Sequence, residues 1–280
     1  MSENRSLGRT IAALSRPVVG SMALAVGGLV LFRGVAPFEV LRGSNDVVGN
    51  YLQTLGSIYA VLLAFVVFVV WTQFNEARAN VDREANELLD LFRTARGLPE
   101  PTREQVQASA RAYAQAVVES EWEAMACRSP LEAGGGAGTL EAMWESVHAA
   151  EPTLEPDRSL YREVLRRLDD LSDARSSRLT SARTHIPTAL RILLYTGAVS
   201  TVGSMYLFAV ESFAVHAVIT AALAGAISHV LYVIEDLDSC FDGHWQVPRT
   251  PFERVSRQMA AAAPVQRAGV APSGQVAGGG

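Results

Sequence analysis

The longest uncharged segment of the chain runs from Val47 to Asn75 and is apolar at most of its positions. A transmembrane helix needs about 20 predominantly apolar residues, so this segment predicts a membrane span, which we place at residues 50–74. Beyond Trp71 the segment becomes rich in charged residues, and neither Pro nor Gly occurs before Gly97. Because Pro and Gly interrupt helices most strongly, we expect the span to continue into water as one unbroken helix.

Three other segments have long uncharged runs and predict three more spans, at residues 17–33, 187–210 and 212–234. The first measures about 24 Å as a helix, which is short for a hydrocarbon core of about 30 Å. The arginines that precede it also fit a secretory signal peptide, and this alternative stays open. Either interpretation starts the second span on the outer side of the membrane.

The region between the second and third spans, residues 75–185, predicts a set of amphipathic helices. The first apolar stripe comprises Phe74, Val81, Leu88 and Phe92. The second comprises Val106, Tyr113, Val117, Trp122 and Met125, and the third comprises Val164, Leu168 and Leu171. We expect a capping box at Thr102–Gln105, a flexible loop at Gly134–Gly138, a short helix at Leu140–Ala149 and a long helix capped by Asp157. The predicted fold is all-α: a polytopic membrane protein with four transmembrane helices and a cytoplasmic helical bundle inserted between spans two and three.

Arginines are concentrated on one predicted side of the membrane. That side has Arg5, Arg9 and Arg16 before the first span, Arg78 and Arg83 after the second, and Arg175, Arg178 and Arg183 before the third. The other side has only Arg33 and Arg42. Because loops rich in Arg stay in the cytoplasm, we expect an inner (plasma) membrane protein whose helical region and both termini, residues 1–16 and 235–280, are cytoplasmic. From Ala260 onward the composition predicts a disordered tail.

The sequence has no pattern typical of an enzyme. The five histidines form no catalytic or metal-binding spacing, and the two cysteines lie far apart. A net charge of -5, with no clustered basic run, gives no reason to expect nucleic-acid binding. We therefore expect no catalytic activity, no cofactor and no metal centre, and the lipid bilayer as the first partner.

An acidic run follows the last predicted span. Its four carboxylates, at Glu235, Asp236, Asp238 and Asp242, are oxygen ligands of the kind that Ca²⁺ prefers. Their spacing departs from that of the twelve-residue calcium-binding loop, and an acidic helix end is the favoured interpretation. A cation site at these residues remains the weaker alternative.

Three motifs together resemble the bestrophin-like family of bacterial and plant membrane proteins. The first is Asn75-Glu76-Ala77-Arg78 with Glu84, Ala85, Leu88 and Leu91, and the second is Arg178-Leu179 with Ile186-Pro187. The third runs from Asp236 to Gly243 and on to Val247-Pro248 and Pro251-Phe252. The resemblance covers about Asn50 to Phe252, and Cys240 stands where the family usually has Pro.

Bestrophins proper are more distant, and they are oligomeric anion channels. They have four membrane helices per subunit, cytoplasmic termini and a hydrophobic neck on the second helix. In animal members an acidic segment after the last span takes part in calcium sensing. The resemblance implies a homo-oligomeric ring in which span two lines the axis, with small inorganic anions as possible permeant partners.

One apolar stripe of span two offers a candidate pore constriction. Ile58, Leu62, Phe65 and Val69 fall on one helix face at spacings of four, three and four. In a ring of subunits such residues stack as apolar collars, which gate by losing water. A lipid-facing or packed helix has the same pattern, and that alternative is favoured.

The leading hypothesis is an oligomeric passive ion channel, with anions as the expected ions. Residues 75–185 contain 14 Arg against 20 Asp and Glu, which argues against an easy anion path unless arginines face it. The alternative is a membrane-anchored interaction or sensor scaffold that transports nothing.

Overall fold

The computed structural model describes residues 3–35, 41–127, 135–150 and 155–262. These residues form nine α-helices and no strand. The helices are α1 (Glu3–Val35), α2 (Asn45–Thr94), α3 (Thr102–Ala116), α4 (Trp122–Ala126), α5 (Gly135–His148), α6 (Glu155–Arg183), α7 (Thr188–Met205), α8 (Phe213–Asp238) and α9 (Thr250–Ala261). A 3₁₀ turn follows α2, and a π-helical turn, Val117–Glu121, joins α3 to α4. The predicted disordered tail beyond residue 262 and Gly134 of the predicted glycine loop lie outside the described residues.

Helix α2 is the longest element, with 50 residues. It begins at Asn45, five residues before the predicted start of span two, and ends at Thr94. The prediction of one helix that continues beyond Trp71 without a break is confirmed. At 1.5 Å per residue the helix is about 75 Å long, much more than a bilayer requires.

Within the described parts of the chain, three helices are long and apolar enough to cross a membrane. They are Ser15–Val35 of α1, Asn45–Gly97 with α2, and Phe213–Asp238, which is α8. The segment predicted as the third span, α7, is not among them; its 18 residues include the charged Arg191 besides several hydroxyl and glycine residues. Its helix also ends at Met205, before the predicted limit of Val210.

Tyrosine side chains join these helices side by side. The hydroxyl of Tyr59 on α2 donates to the carbonyl of Leu194 on α7 at 2.9 Å, and the tyrosine ring lies against Gly197. In the same way Tyr206, after α7, donates to the carbonyl of Ala25 on α1 at 2.9 Å. Helix α7 is thus held to both α1 and α2 within the layer of apolar helices.

Helix α1 packs against α8. Gly225 of α8 packs against Met22, whose sulfur would lie 3.1 Å from a Cβ at that position. Close approach at a small residue is what brings helices together in lipid. The segment Ser15–Val35 of α1, which packs against α8, is one of the helices long and apolar enough to cross a membrane.

The second half of α2 forms a helical bundle with α3, α4, α5, α6 and α9. The predicted apolar stripes point into it, and Val81, Leu88, Val106, Tyr113, Val117, Val164, Leu168 and Leu171 have no exposed surface. Burial of these stripes in one core confirms the predicted amphipathic helices.

Three local predictions in this bundle were wrong. Thr102 is not a cap but the first residue of α3, and the Glu100 side chain accepts from the backbone N–H of Glu104 instead, at 3.2 Å. The glycine run is not a loop from Gly135 onward, since α5 begins there. The long helix α6 begins at Glu155, so Asp157 lies inside its first turn rather than at its cap.

Candidate functional site

One face of α2 has no packing partner among the described residues. It consists of Tyr51, Thr54, Ile58, Val61, Phe65, Phe68, Thr72, Asn75 and Ala79, all exposed. These positions alternate at spacings of three and four, so they form one continuous stripe along the helix. The opposite face holds Tyr59, Val66, Val70 and Phe74, which are buried in the core. We call the nine-residue stripe the open face of α2.

The four predicted constriction residues lie only partly on this face. Ile58 and Phe65 are 65% and 59% exposed, whereas Leu62 and Val69 are half-buried. Leu62 packs against the hydrophobic core. The predicted stripe therefore runs along the edge of the open face. The residues nearest the centre of the open face are Val61 and Phe68, which are 71% and 67% exposed.

The open face is apolar only in its middle. Toward Asn45 it is bordered by Asn50, Gln53, Thr54 and Ser57, and beyond Phe68 it continues with Thr72 and Asn75. A groove of about 630 Å³ begins beside that second polar section, between α2 and α6. Its lining comprises Gln73, Glu76, Ala79, Asn80 and Arg83 of α2 and Asp173, Ser176, Ser177, Thr180, Ser181 and Thr184 of α6. An apolar section of the open face thus separates two polar ones.

A cluster of buried charges fixes the second half of α2 in the bundle. Glu84 of α2, Glu121 of the π-helical turn, and Arg175 and Arg178 of α6 are all buried, together with Tyr113 of α3. We call these five residues the charge cluster. Two carboxylates and two guanidinium groups balance, so burial leaves no net charge.

Arg178 is the centre of the charge cluster. Its guanidinium donates to both oxygens of Glu84 and, at 2.7 Å, to Oε2 of Glu121. Arg175 donates to both oxygens of Glu121, at 2.8 and 2.7 Å. Tyr113 donates its hydroxyl to Glu84. A buried ion pair is tolerated only when hydrogen bonds satisfy its remaining groups, and this cluster meets that condition.

The surroundings favour the charged forms of Glu121 and Arg178. Burial acts to raise the pKa of Glu121, but hydrogen bonds from Arg175 and Arg178 outweigh it and lower that pKa below the ordinary value. Burial acts to lower the pKa of Arg178, but Glu84 and Glu121 raise it. The pKa of Tyr113 is raised by burial and by Glu84, so its hydroxyl stays a donor.

Two backbone features make room for Glu121. The π-helical turn holds an extra residue, and such turns occur often at functional sites. Gly136, near the start of α5, lies so close that a Cβ there would collide with Glu121 and would lie 2.8 Å from Nη1 of Arg175. The positive N-terminal end of α5 therefore approaches the carboxylate without a side chain between them.

Sequence reasoning missed the charge cluster. In the sequence, Arg175 and Arg178 indicate the orientation of the chain, and Glu84 and Arg178 belong to motifs of the family resemblance; none of them was predicted to be buried. The available signal was position, because Glu84 is three residues after Val81 and four before Leu88, on the apolar stripe of α2. Arg178 continues the stripe of Leu171 in the same way. Charges on an apolar stripe predict buried pairs more readily than solvated ones.

The four carboxylates of the acidic run do not converge. Asp238 accepts from the backbone N–H of Ile186 at 2.7 Å and from Arg191 at 2.8 Å. Asp236 accepts from the backbone N–H groups of His244 and Trp245, both at 3.0 Å. Within the described ranges no group of three or more His, Cys, Asp or Glu could hold a metal ion.

Of the other two carboxylates, Glu235 shares Arg191 with Asp238. Glu235 is 3.1 Å from Nε of Arg191, and Asp242 is exposed. The run thus closes the end of α8 with hydrogen bonds, and the interpretation as an acidic helix end fits this geometry. The cation site at these four residues, the weaker alternative, stays a prediction.

Local contacts hold in place the motif that begins at Asp236 and continues after α8 to Phe252. Gly243 has a φ of 87°, in the left-handed region that favours glycine. The ring of Phe241 lies edge-on to Trp122 of the bundle, with ring centres 5.5 Å apart. The rings of Trp71 and Trp245 also lie edge-on, with ring centres 6.1 Å apart. The motif therefore ties the end of α8 to α2 and to the bundle.

At the other end of the apolar helices, hydrogen bonds hold the turn between α7 and α8. Asn45 binds both backbone groups of Ala209, and the exposed pair Arg42–Glu211 closes at 3.0 Å. Nε2 of the buried His216 lies 2.8 Å from the carbonyl of Met205. Its Nδ1 lies 3.1 Å from Arg33, a donor only, so this nitrogen accepts and the imidazole is neutral. This end carries charged groups and marks one surface of the layer.

Comparisons with known proteins agree with the architecture. A family model described as a Bestrophin-like domain matches residues 19–252. A point mutant of a bacterial Bestrophin homolog from Klebsiella pneumoniae superposes with a TM-score of 0.68 at 13% identity, over 87% of this chain and 99% of that chain. The structure of the same homolog phased with zinc gives a TM-score of 0.65 at 13% identity, over 87% and 97%. At this identity the likeness shows the fold alone. No curated protein is similar enough in sequence to count as a relative.

Proposed function

Because the chain belongs to the Bestrophin-like family, we propose that it is a homo-oligomeric membrane protein that passively conducts small ions, anions foremost, along the open face of α2. The observation that carries this proposal is the open face itself. Val61, Phe65 and Phe68 are large, apolar and more than half exposed on the longest helix, with polar sections on either side. A ring of copies with these faces toward the axis forms an apolar collar between two wet compartments, and such collars gate by dewetting.

The rotation of α2 about its own axis decides which of its side chains face the pore. The charge cluster supports one fixed rotation. Glu84 lies 13 residues beyond Trp71, or about 20 Å along the helix. Since α2 is continuous, its orientation in the bundle is passed directly to the apolar section. The collar therefore depends on hydrogen bonds made far from it.

We further propose four spans, with α7 as the third. Its contacts through Tyr59 and Tyr206 place it beside α2 and α1, which are apolar enough to cross a membrane. The arginine distribution supports cytoplasmic termini in an inner membrane, with the helical bundle on the same side. Passive conduction requires no catalytic group, so the proposal includes no enzymatic step.

The proposal is tested by mass measurement in mild detergent followed by chloride and sodium flux in reconstituted vesicles, with protein-free vesicles as control. We expect an oligomer and a chloride flux above the control. A strictly monomeric protein contradicts the proposal, because one copy has no axial pore. A folded oligomer that passes neither ion favours the scaffold that docks a partner, and sodium flux alone overturns the preference for anions.

A further inference from the structure

The turn between α7 and α8 is held from two sides. Asn45, at the start of α2, binds both backbone groups of Ala209, and its amide oxygen accepts from the N–H at 2.9 Å. Arg33, near the end of α1, donates to the carbonyl of Val210 and lies over the ring of Phe213, 5.6 Å from its centre. The turn therefore joins the end of α1 to the start of α2, at the end of the apolar helices away from the helical bundle.

His216 of α8 completes the attachment of Arg33. Its side chain is fully buried, and both ring nitrogens are engaged. Nε2 lies 2.8 Å from the carbonyl of Met205, and Nδ1 lies 3.1 Å from Nη2 of Arg33. Since a carbonyl only accepts and a guanidinium only donates, Nε2 carries the proton and Nδ1 carries a lone pair. The contact between Arg33 and His216 therefore exists for one protonation state of the imidazole.

The helices packed around His216 disfavour a second proton on its ring. From α1 the facing charged group is Arg33, itself a cation. Just after α7, the hydroxyl of Tyr206 donates to the carbonyl of Ala25. His216 is also the fourth residue of α8, where the positive end of the helix disfavours a cation.

The nearby carboxylates do not compensate. Among the described residues, no carboxylate lies within ion-pair distance of His216. Glu211 of the turn is 77% exposed and pairs with Arg42 at 3.0 Å. Asp46, in the first turn of α2, is exposed. A protonated imidazole would therefore face a guanidinium with no anion beside it.

We propose that Arg33 and His216 form a proton-operated latch, which holds α1 to the turn while the imidazole is neutral and releases it when Nδ1 takes up a proton from water. With Nδ1 protonated, two N–H donors and two positive charges face each other across 3.1 Å, so one side chain must move away.

Acid favours the released state of the latch. A histidine in water takes up its second proton near pH 6.5. Because the released state binds one proton more than the closed state, a fall in pH below about that value shifts the equilibrium toward release. Ala209 of the same turn holds Asn45, so release also loosens the start of α2.

Hydrogen exchange of the backbone tests the latch without requiring ion conduction. The full-length protein in lipid nanodiscs is exchanged at pH 8 and at pH 5, and each rate is divided by the intrinsic rate at that pH to give a protection factor. The probe is the segment 206–216, which includes the N–H of Ala209 that Asn45 binds.

Three variants separate the proton from other effects of acid. His216→Gln keeps the latch closed, because its amide can donate to Met205 and accept from Arg33 but takes up no proton. Arg33→Met keeps the latch released, because methionine has no N–H to donate. His229→Gln is the matched control, since His229 is an exposed histidine of the same helix.

We expect protection of the segment 206–216 to fall at least tenfold between pH 8 and pH 5 in wild type and in His229→Gln. It should change less than twofold in His216→Gln and be low at both pH values in Arg33→Met. Protection of α3 in the bundle should stay the same throughout, which excludes general unfolding.

Equal protection of the segment at both pH values in wild type overturns the latch. An acid response that persists in His216→Gln also overturns it, because the proton then acts elsewhere. If His216→Gln does not fold, Arg33→Met decides, since wild-type protection of this variant at pH 8 overturns the proposal as well.

Discussion

Arg178 and Glu84 form an ion pair in which neither side chain has any exposed surface. The pair joins α6 to α2 across 94 residues of chain, within the helical bundle. Arg178 also binds Glu121, so a single guanidinium connects α2, α6 and the π-helical turn. Few single substitutions could affect the position of α2 as strongly as one at Arg178.

Arg178→Met should destabilise the folded protein by about 3–5 kcal/mol, because it leaves the buried carboxylate of Glu84 without a cation and leaves Glu121 with Arg175 alone. Arg166→Met is the matched control on the same helix, since Arg166 is half exposed and pairs with Glu163 and Asp170 at the surface. That control should leave the unfolding midpoint close to that of wild type, because exposed ion pairs contribute little. Thermal unfolding in detergent measures both variants. Similar midpoints for the two would show that the charge cluster contributes no more than a surface pair.

Acid should remove the contribution of Glu121. The pKa of this group is lowered in the folded protein, so its stabilising effect is complete above the ordinary value near 4.5 and is lost as the pH falls through the lowered value. Glu121→Gln should therefore be less stable than wild type at pH 7, and the gap should narrow in acid below pH 4.5. Unfolding midpoints of both proteins across this range provide the check. If the difference between the two unfolding midpoints widened in acid, the claim that folding lowers the pKa of Glu121 would be wrong.

Gly197→Ala should loosen the contact between α2 and α7. A Cβ at Gly197 would lie 2.5 and 2.6 Å from ring atoms of Tyr59, so the ring must move, at a cost of about 1–3 kcal/mol. Gly203→Ala on the same helix meets nothing within 4 Å and should stabilise by about 0.5–1 kcal/mol. Unfolding midpoints that move in opposite directions are the expected outcome. Equal effects would argue that α7 does not pack closely against α2.

The two thiols should differ in reactivity. Burial raises the pKa of Cys240 to about 11, so at pH 8 this group is almost entirely the unreactive thiol. Cys127 is exposed. Iodoacetamide followed by mass mapping should modify Cys127 alone at pH 8 in the folded protein and both residues after denaturation. Comparable modification of Cys240 without denaturant would contradict its burial against the bundle.

The sequence predicted the path of α2 well because the signal was long. An uncharged run and an uninterrupted apolar stripe leave few alternatives, and the helix extends from Asn45 to Thr94. The open face was harder, because Ile58 and Leu62 are equally apolar in sequence. Only the contacts of Tyr59 and its neighbours with the rest of the chain show which side of α2 is covered.

The local errors have a common physical cause, which is tertiary contact. Thr102 fits a capping box, but its side chain is buried and Glu100 takes the capping role. Gly136 fits a flexible loop, yet it lies in α5, where the glycine leaves room for Glu121 and Arg175. Such requirements come from residues distant in sequence, so a local pattern cannot reveal them.

Ion flux through collar variants tests the central claim most directly. Chloride flux into vesicles is compared among wild type, Val61→Ala, Phe65→Ala and Phe68→Ala, with Leu62→Ala and Val199→Ala as controls of similar size change. Smaller side chains widen the collar and let it hydrate, so flux should rise several-fold in the first three variants and stay near wild type in both controls. If instead the three collar variants conduct no better than Val199→Ala, from protein shown to be folded and oligomeric, the open face of α2 is not the ion path.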